Sequence, residues 1–517
     1  MLRRAGRSRL LETTLLLVAV ALATPTFAQE PAPSGDVPAT PGQAPTPGEP
    51  TPAPAPPPIV TPFPAPVPVI PQVQPIGPPA TVPSAPVRVL PSVGAGLPLG
   101  PTFQIQPTIS VTGEYTDNFG LTERNKESNF RSTVSPGLLL GINTPVTQGL
   151  ISYTFSPAYD TATEDFSYFH SLLGQVVWQA NPRWRLTLAD TLTRSDQPGD
   201  ADRLGLRQER RTFTSNILSL DSDYLIGRVQ TRQSYRLSTF FDDLSGDTVS
   251  HVLATSAVLP ILRVNSVSAG YEYLISDSEP GSDFDSSTPG GPLIVGESDF
   301  SVRGHQFTAG ASRELSRFST VGLRGTYALR TATSDTDTDE DDFRIWSVSL
   351  FTAYALPGGL TVDGSLGMTG LTSSGESVGP NFSSSTSISY QFTRALVGVA
   401  FDSGFSETFS AGQNFGVVET QGVTGYLSYL FTPSVTGRVS GTYRRNEPTG
   451  FGNQSAVSVD TTTWQGTAGL TWRIQRRLSL ELTYSYVDQD GGDRGFDSGA
   501  DGSYTENRVQ AAFRVVY

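Results

Sequence analysis

The sequence has no cysteine, only three histidines and two methionines, and just 16% charged residues among its 517. The absence of cysteine excludes a disulfide framework, a thiolate metal site and a cysteine nucleophile. Three histidines leave little for a histidine-rich metal site or for acid–base catalysis, and soluble enzymes usually carry about 25% charged residues. A net charge of −14 argues against nonspecific nucleic-acid binding, because neutralising phosphates requires a basic surface.

Glycine (51 residues), proline (40) and aromatic residues (10%) are well represented instead. At roughly 150 residues per domain the length alone would suggest about three domains. The low charge and the mean hydropathy of −0.18 favour another interpretation. They suit β-structure with one face toward lipid.

Residues 1–28 are predicted to be a secretory signal peptide. Arginines at positions 3, 4, 7 and 9 precede a short apolar run, Leu15–Ala23, and small residues lead to a cleavage point after Ala28. The alternative, a membrane anchor, requires about 20 apolar residues, and this run is too short.

Residues 29–101 are predicted to be a disordered, proline-rich periplasmic arm. This segment holds 25 of the 40 prolines and almost no charge. Runs such as Pro52–Pro58 favour an extended polyproline-II-like tether over a helix or sheet. Its role stays open between a plain spacer and an arm that binds the cell wall or a partner.

Residues 102–517 show short alternating segments that predict β-strands. In Leu478–Tyr486 the apolar side chains fall on one face and the polar ones on the other, and Arg183–Thr193 and Thr320–Arg330 repeat this period of two. Short connectors alternate with long ones, which is typical of outer-membrane barrels. The fold class predicted is all-β, a transmembrane antiparallel up-and-down β-barrel of about 20 strands, in a range of 16–22. A secreted β-sandwich or β-solenoid is the alternative.

Twenty strands are predicted at approximate positions. The spans are 103–116, 128–142, 149–160, 167–180, 183–195, 209–221, 227–240, 248–260, 264–276, 302–313, 317–331, 343–356, 359–372, 382–393, 395–407, 417–430, 435–446, 459–473, 477–488 and 504–517. Long connectors are predicted at 118–127, 195–208, 277–300, 333–342, 406–415, 446–457 and 489–503.

The C-terminus resembles the signal that outer-membrane assembly machinery reads. Alternating residues end on a terminal aromatic: Val509, Ala511, Phe513, Val515 and Tyr517. Tryptophans beside short turns, at positions 178, 184 and 472, predict an aromatic girdle at the periplasmic rim.

Three segments at the start of the predicted barrel carry a family resemblance. Glu114–Asn118 (EYTDN), Ser128–Phe130 (SNF) and Thr133–Leu138 (TVSPGL) resemble a family of outer-membrane β-barrels associated with exopolysaccharide biosynthesis and export. The resemblance implies an outer-membrane location and a role linked to exopolysaccharide. It supplies no catalytic residue.

Signals for chemistry are weak. Ser377 lies in a G-x-S-x-G pattern without the strand–turn–helix context that a nucleophile requires, and His170, His251 and His305 fall on three separate predicted strands. A barrel hydrolase is therefore the least favoured function, and we expect no enzyme activity and no cofactor. The alternating Asp335, Asp337 and Asp339 are weak metal candidates, because the glycine and the distal glutamate of a calcium loop are missing.

Arginines on the polar faces of the predicted strands are candidates to line the lumen. They are Arg185, Arg228, Arg232, Arg236, Arg324, Arg330, Arg438, Arg444, Arg508 and Arg514. Inward acids are expected to be fewer, chiefly Glu272 and Glu481. Either these arginines make the lumen prefer anions, or they pair with carboxylates of the wall and loops.

The function predicted is porin-like passage of polar or anionic solutes, or of exopolysaccharide, across the outer membrane. The alternative is a structural or adhesive barrel tethered to the cell wall by its proline-rich arm. Expected partners are outer-membrane lipid and lipopolysaccharide, the assembly machinery and acidic polysaccharide, without nucleic acid.

Overall fold

A computed structural model describes the part of the chain that follows the proline-rich segment. The described residues are 97–98, 102–201, 210–242, 246–279, 300–334, 337–373, 376–409, 416–449, 460–491 and 503–517. They all belong to one compact unit, Ile70–Tyr517. The predicted signal peptide and nearly all of the predicted arm lie outside them. No helix in these ranges is long and apolar enough to cross a membrane.

The described chain is almost entirely β-strand. The elements are β1 (Leu97–Pro98), β2 (Phe103–Thr116), β3 (Asn129–Asn143), β4 (Thr147–Asp160), β5 (Asp165–Asn181), β6 (Trp184–Ser195), α1 (Pro198–Ala201), β7 (Phe213–Ile226), β8 (Val229–Asp242), β9 (Gly246–Pro260), β10 (Asn265–Glu279), β11 (Phe300–Ser316), β12 (Ser319–Ser334), β13 (Asp337–Ala355), β14 (Leu360–Ser373), β15 (Glu376–Gln391), β16 (Ala395–Glu407), β17 (Val417–Thr432), β18 (Val435–Pro448), β19 (Thr461–Gln475), β20 (Leu478–Asp490) and β21 (Tyr504–Val516). The two-residue β1 pairs with β2, and twenty long strands follow.

Each long strand pairs antiparallel with the next, and the last pairs with the first. The closing seam between β2 and β21 runs from Thr108 opposite Val516 to Thr116 opposite Arg508. The predicted closed antiparallel barrel of about 20 strands is therefore confirmed. Closure removes the sheet edges, whose unpaired backbone groups would find no water in a membrane.

Most strand positions agree with the alternation pattern, but three starts differ. Strand β7 begins at Phe213 instead of 209, whereas β13 and β15 begin six residues earlier than predicted, at Asp337 and Glu376. The aspartate-rich run was predicted as a long connector because of its charge. Backbone pairing with β12 extends into it, so only residues 335–336 separate the two strands.

The outer face of the barrel is apolar. Phe513, Val111 and Val134 stand opposite one another on three adjacent strands and are 50%, 53% and 45% exposed. Their sequence neighbours Thr112 and Thr133 point to the other face, because side chains alternate along a strand. An apolar surface of this extent, which no other part of the described chain covers, faces lipid.

Two belts of aromatic residues bound this surface. On β19, Trp464 and Trp472 are both exposed and stand eight residues apart, which at about 3.3 Å per residue and a tilt of about 40° is roughly 20 Å along the barrel axis. Trp178 and Trp184 pack together at the short-turn end, with ring centroids 6.2 Å apart. The spacing fits the apolar band of an outer-membrane protein, about 25 Å tall. The chain is an outer-membrane β-barrel.

The alternating C-terminal residues follow the same division. Val509, Phe513 and Tyr517 are each at least half exposed. The role of this segment in assembly stays a prediction.

A charge on the outer face tests the membrane placement. Leu253 at the middle of β9 is 57% exposed, and we expect Leu253→Arg to lower the free energy of unfolding in a bilayer by about 2–4 kcal/mol. Ala254→Arg is the matched control, because Ala254 stands opposite Glu272 on the inner face. Urea titration of barrels folded into vesicles measures both. An equal loss in the two variants would contradict the assignment of faces.

Candidate functional site: the barrel lumen

The inner face of the barrel is polar. On β2 it carries Gln106, Thr108, Ser110 and Thr112, which alternate with outward Ile109 and Val111. Twenty strands about 4.8 Å apart and tilted by about 40° enclose a backbone cylinder with a radius of about 20 Å. A lumen of this size holds water unless chain segments enter it.

The inner wall differs between its two ends. On β10, inward Ser266 and Ser268 near the short-turn end are half-buried, whereas Glu272, Leu274 and Ser276 toward the long-loop end are 8%, 1% and 3% exposed. Burial of inward residues therefore increases toward the long-loop end. Other parts of the chain therefore cover the inner wall near the long-loop end.

One covering element is the end of the β16–β17 hairpin. Strand β16 pairs with β15 only as far as Ser403 opposite Ser384, and then Gly404 adopts a φ of +144°. Beyond it, β16 stays paired with β17 as far as Glu407 opposite Val417. A positive φ suits glycine, which lacks a Cβ. We call residues 404–409 and 416–418 the inward hairpin. Its β16 side separates from β15 here, whereas its β17 side stays paired with β18 as far as Val418 opposite Pro448.

Contacts at Phe409 show that the inward hairpin lies inside the lumen. Its carbonyl accepts hydrogen bonds from the hydroxyls of Ser250 on β9 and Ser276 on β10. Its ring packs 6.3 Å from Phe300 and 6.2 Å from Phe343, between centroids. Phe409 itself has no exposed surface. Since β9 and β10 stand six or more strands from β16, the hairpin reaches across the lumen.

A buried ion pair holds the base of the inward hairpin. Arg330 on β12 places Nε and Nη2 each 2.9 Å from Oε2 of Glu407. Both side chains are buried, and Glu272 interacts electrostatically with both. On an open cylinder of this size, strands four positions apart are more than about 20 Å apart. The short contact therefore requires the hairpin to bend inward.

Apolar side chains from six wall strands, β9 to β14, surround the inward hairpin and its own residues Phe405, Phe409 and Val417. The buried cluster comprises Val252, Leu274, Val302, Ala328, Ala332, Phe343, Ile345, Leu371, Phe405, Phe409 and Val417. An apolar core inside a barrel fixes the hairpin by hydrophobic burial. The inward hairpin therefore narrows the long-loop half of the lumen.

A second segment enters the mouth from the β6–β7 connector. Asp196 contacts Arg131 of β3 at 2.5 Å, and Arg131 also binds Asp160 of β4 at 2.8 Å. Farther along the connector, Arg210 contacts Glu506 of β21 at 2.9 Å. These contacts cross several strands and draw the connector over the mouth. We call residues 196–201 and 210–212 the second inward segment.

The segments that carry the family resemblance belong to this rim. Thr116 donates a hydrogen bond to Glu506 at 2.8 Å, and Asn118, fully buried, donates to the carbonyls of Thr122 and Thr505. Asn129 donates to Asp160. These residues fix the loop after β2 to the start of β21, so their local role is structural.

At the short-turn end, two of the predicted lumen arginines are paired. Arg185 contacts Asp223 at 2.6 Å, and Arg232 contacts Asp221 at 2.9 Å. The sequence does carry a signal for these acids, because Leu218, Leu220 and Tyr224 alternate with them.

The expectation that Glu272 and Glu481 are the chief inward acids is wrong. The register places many more carboxylates on the inner face, among them Glu114, Asp160, Asp221, Asp223, Asp242, Glu314, Asp363, Asp402, Glu407 and Glu506. The lumen therefore carries both signs of charge.

The other predicted arginines have varied surroundings. Arg324 stacks over Phe351 at 4.8 Å, Arg444 interacts with Asp402, and Arg508 donates to Gln197 at 2.6 Å. Arg228 lies in the turn before β8, not on the wall. Within the described residues, no carboxylate lies at ion-pair distance from three inward arginines, namely Arg236, Arg438 and Arg514.

The weak signals for chemistry find no assembled site. Ser377 pairs with Thr372 within the sheet, so the strand–turn–helix of a nucleophile is missing. The ring hydrogen bonds of the three histidines go to tyrosines. Asp335 lies outside the described residues, and Asp337 and Asp339 belong to β13. Within the described ranges, no group of three or more acidic or histidine side chains is placed to hold a metal ion.

Comparison with known proteins gives only remote likenesses. No family model matches the chain, and neither does any curated protein. Among solved structures, the FrpB iron transporter from Neisseria meningitidis (F5-1 variant) is 10% identical over 81% of this chain and 83% of its own, with a TM-score of 0.44. A mutant of the ferric enterobactin receptor PfeA from Pseudomonas aeruginosa, in complex with enterobactin, is 11% identical over 80% of this chain and 81% of its own, with a TM-score of 0.42. The unliganded ferric citrate transporter FecA is 12% identical over 80% of this chain and 78% of its own, with a TM-score of 0.43. These values are too low to carry an argument about function.

Proposed function

We propose that this barrel passes polar solutes, with a preference for anions, across the outer membrane. The observation that carries the proposal is a polar inner wall whose short-turn half stays accessible to water. No covalent chemistry is required for passage. The inward hairpin and the second inward segment narrow the lumen, and this constriction limits the size of the solutes that pass.

The anion preference rests on the arginines that lack a carboxylate partner among the described residues. Arg438 and Arg514 are exposed and are the fourth and third residues counted from the short-turn ends of β18 and β21. Paired arginines such as Arg185 and Arg232 contribute little net field, because a carboxylate neutralises each of them. Unpaired charges beside a low-dielectric wall dominate selectivity. Two inward acids near the same end, Asp363 and Glu481, have no arginine at ion-pair distance among the described residues and oppose the two arginines.

Charge reversal of the two exposed arginines tests the preference. Under a salt gradient in a planar bilayer, we expect the reversal potential of the native barrel to indicate anion preference. Arg438→Glu with Arg514→Glu should move the reversal potential to the cation side, because two positive charges near the short-turn end of the lumen become negative. Arg228→Glu is the control, since Arg228 lies in a turn. Cation selectivity of the native barrel would contradict the proposal.

The proposed cargo class is polysaccharide, acidic polysaccharide above all. Support comes from the resemblance of Glu114–Asn118, Ser128–Phe130 and Thr133–Leu138 to exopolysaccharide-associated barrels. Acidic oligosaccharides added on one side should block the ionic current, and neutral ones of equal length should block it less.

A structural or adhesive barrel is the second candidate. The inward hairpin and the second inward segment favour it, because both occupy the long-loop half of the lumen. The absence of conductance from folded, heat-modifiable protein would place this function ahead of passage.

A further inference from the structure

All three histidines of the chain stand at the same depth on the outer wall. His170, His251 and His305 are each the sixth residue of a strand counted from the long-loop end, on β5 (from 165), β9 (from 246) and β11 (from 300). By the register they share the face of exposed Tyr168, Leu253 and Phe307. Long loops of such barrels face the outside. The histidines thus lie at the outer edge of the apolar band.

Each histidine makes the same bond. Its Nδ1 lies 2.8–2.9 Å from a tyrosine hydroxyl on the preceding strand, and the tyrosine stands opposite the residue two positions after the histidine. The pairs are Tyr153–His170, Tyr235–His251 and Tyr271–His305. The same diagonal geometry is therefore repeated three times around half of the barrel, each time at this depth.

The bond prepares each imidazole as a donor. When the tyrosine hydroxyl donates to Nδ1, the ring hydrogen of a neutral histidine lies on Nε2. The Nε2–H group is then a hydrogen-bond donor that the tyrosine does not use.

One of the three pairs has an arginine beside it. Arg194 of β6 stands directly opposite His170, is exposed, and has no carboxylate at ion-pair distance among the described residues. An arginine at a lipid interface without a protein partner is available for an anion of the membrane.

Above and below this pair the outer wall changes character. Toward the barrel centre Leu172 stands opposite Leu192, which offers an apolar surface to acyl chains. Toward the outside, Tyr168 and Phe166 are 55% and 59% exposed, and aromatic faces of this kind pack against sugar rings. Along the membrane normal the order is therefore apolar, cationic and aromatic.

We propose that Tyr153, His170 and Arg194 form a binding site for a phosphate group of a phosphorylated glycolipid in the outer leaflet. Arg194 supplies a two-pronged donor to the phosphate, and Nε2 of His170 supplies a third hydrogen bond. The acyl chains lie against the leucine pair, and the sugar lies against Tyr168 and Phe166. The aromatic tier distinguishes a glycolipid from a simple phospholipid.

The other two histidines are poorer sites. Arg303 shares the outer face with His305. On the neighbouring strand, however, Asp277 stands opposite Ser301, two residues closer to the rim than Arg303, and Ser301 donates a hydrogen bond to Asp277 at 2.7 Å. A carboxylate there opposes a phosphate. His251 faces the apolar residues Leu237 and Ile275. The site on β4–β6 is the one to which the charge pattern points.

The test measures lipid retention by native mass spectrometry on the full-length protein in detergent. The probes are bisphosphorylated lipid A, its dephosphorylated form and phosphatidylglycerol. His170→Ala with Arg194→Ala should weaken binding of bisphosphorylated lipid A by about tenfold or more, because charge-assisted hydrogen bonds are lost. Arg313→Ala is the control, since Arg313 lies on the same outer face near the short-turn end of β11. Should the double variant not fold, Arg194→Gln replaces it.

Three results would overturn the site: unchanged binding in the variant, equal binding of dephosphorylated lipid A, or an equal loss in Arg313→Ala. Equal retention of phosphatidylglycerol would replace the glycolipid by a phospholipid and refute the proposal as stated. The site rests on the outer-membrane placement but not on conduction, so a silent channel leaves it intact.

Discussion

Replacing residues 408–416 by a two-residue Asn-Gly turn should raise the single-channel conductance about threefold or more, because Phe409, which lies across the lumen against β9 and β10, is removed. The carbonyl that bonds Ser250 and Ser276 leaves with it. The current then passes through a wider cross-section beside the second inward segment, which stays in place. Planar-bilayer recordings of the native and shortened barrels give the comparison.

The control is a change in another connection at the same end of the barrel. Strand β12 ends at Ser334 and β13 begins at Asp337. Replacing the two residues between them by Asn-Gly should leave conductance unchanged. If the shortened hairpin conducts no better than the native barrel, the second inward segment or another obstruction sets the resistance, and the inward hairpin is not the constriction.

The barrel itself was accessible to sequence analysis because its determinants are local. Alternation within Leu478–Tyr486 and similar segments assigns each residue to lipid or lumen, and short and long connectors give the topology. The misplaced start of β13 shows the limit. Charge at Asp337 and beyond indicated a loop, whereas backbone pairing with β12 continues there irrespective of the side chains.

The contents of the lumen were less accessible. Phe405, Ser406 and Glu407 are consecutive and all buried, which breaks the alternation, but the partners that bury them lie far away in sequence. Arg330 was correctly placed on the polar face of its strand, yet nothing local shows that Glu407 reaches it across four strands. Sequence periodicity reports which face a residue occupies. It does not report what crosses the interior.

The ion pair at the base of the hairpin should control how firmly the constriction is closed. Arg330 is the cation between two buried carboxylates, Glu407 at 2.9 Å and Glu272 nearby. Arg330→Met removes the cation that Glu407 binds and leaves the two carboxylates facing each other, with Arg236 as the remaining cation near Glu272. Breaking a buried pair in this way costs about 3–5 kcal/mol, and the barrel can relieve much of it by releasing the inward hairpin into water.

We therefore expect Arg330→Met to produce frequent open events in single-channel recordings and to lower the midpoint of urea unfolding. Arg324→Met is the matched control on the same strand and face, because Arg324 stacks over Phe351 and Glu407 binds Arg330 instead. A triple change, Arg330→Met with Glu407→Leu and Glu272→Gln, removes the repulsion and should restore closure. If that variant gates as often as Arg330→Met alone, packing around Phe409 and not the charge pair holds the hairpin in the lumen.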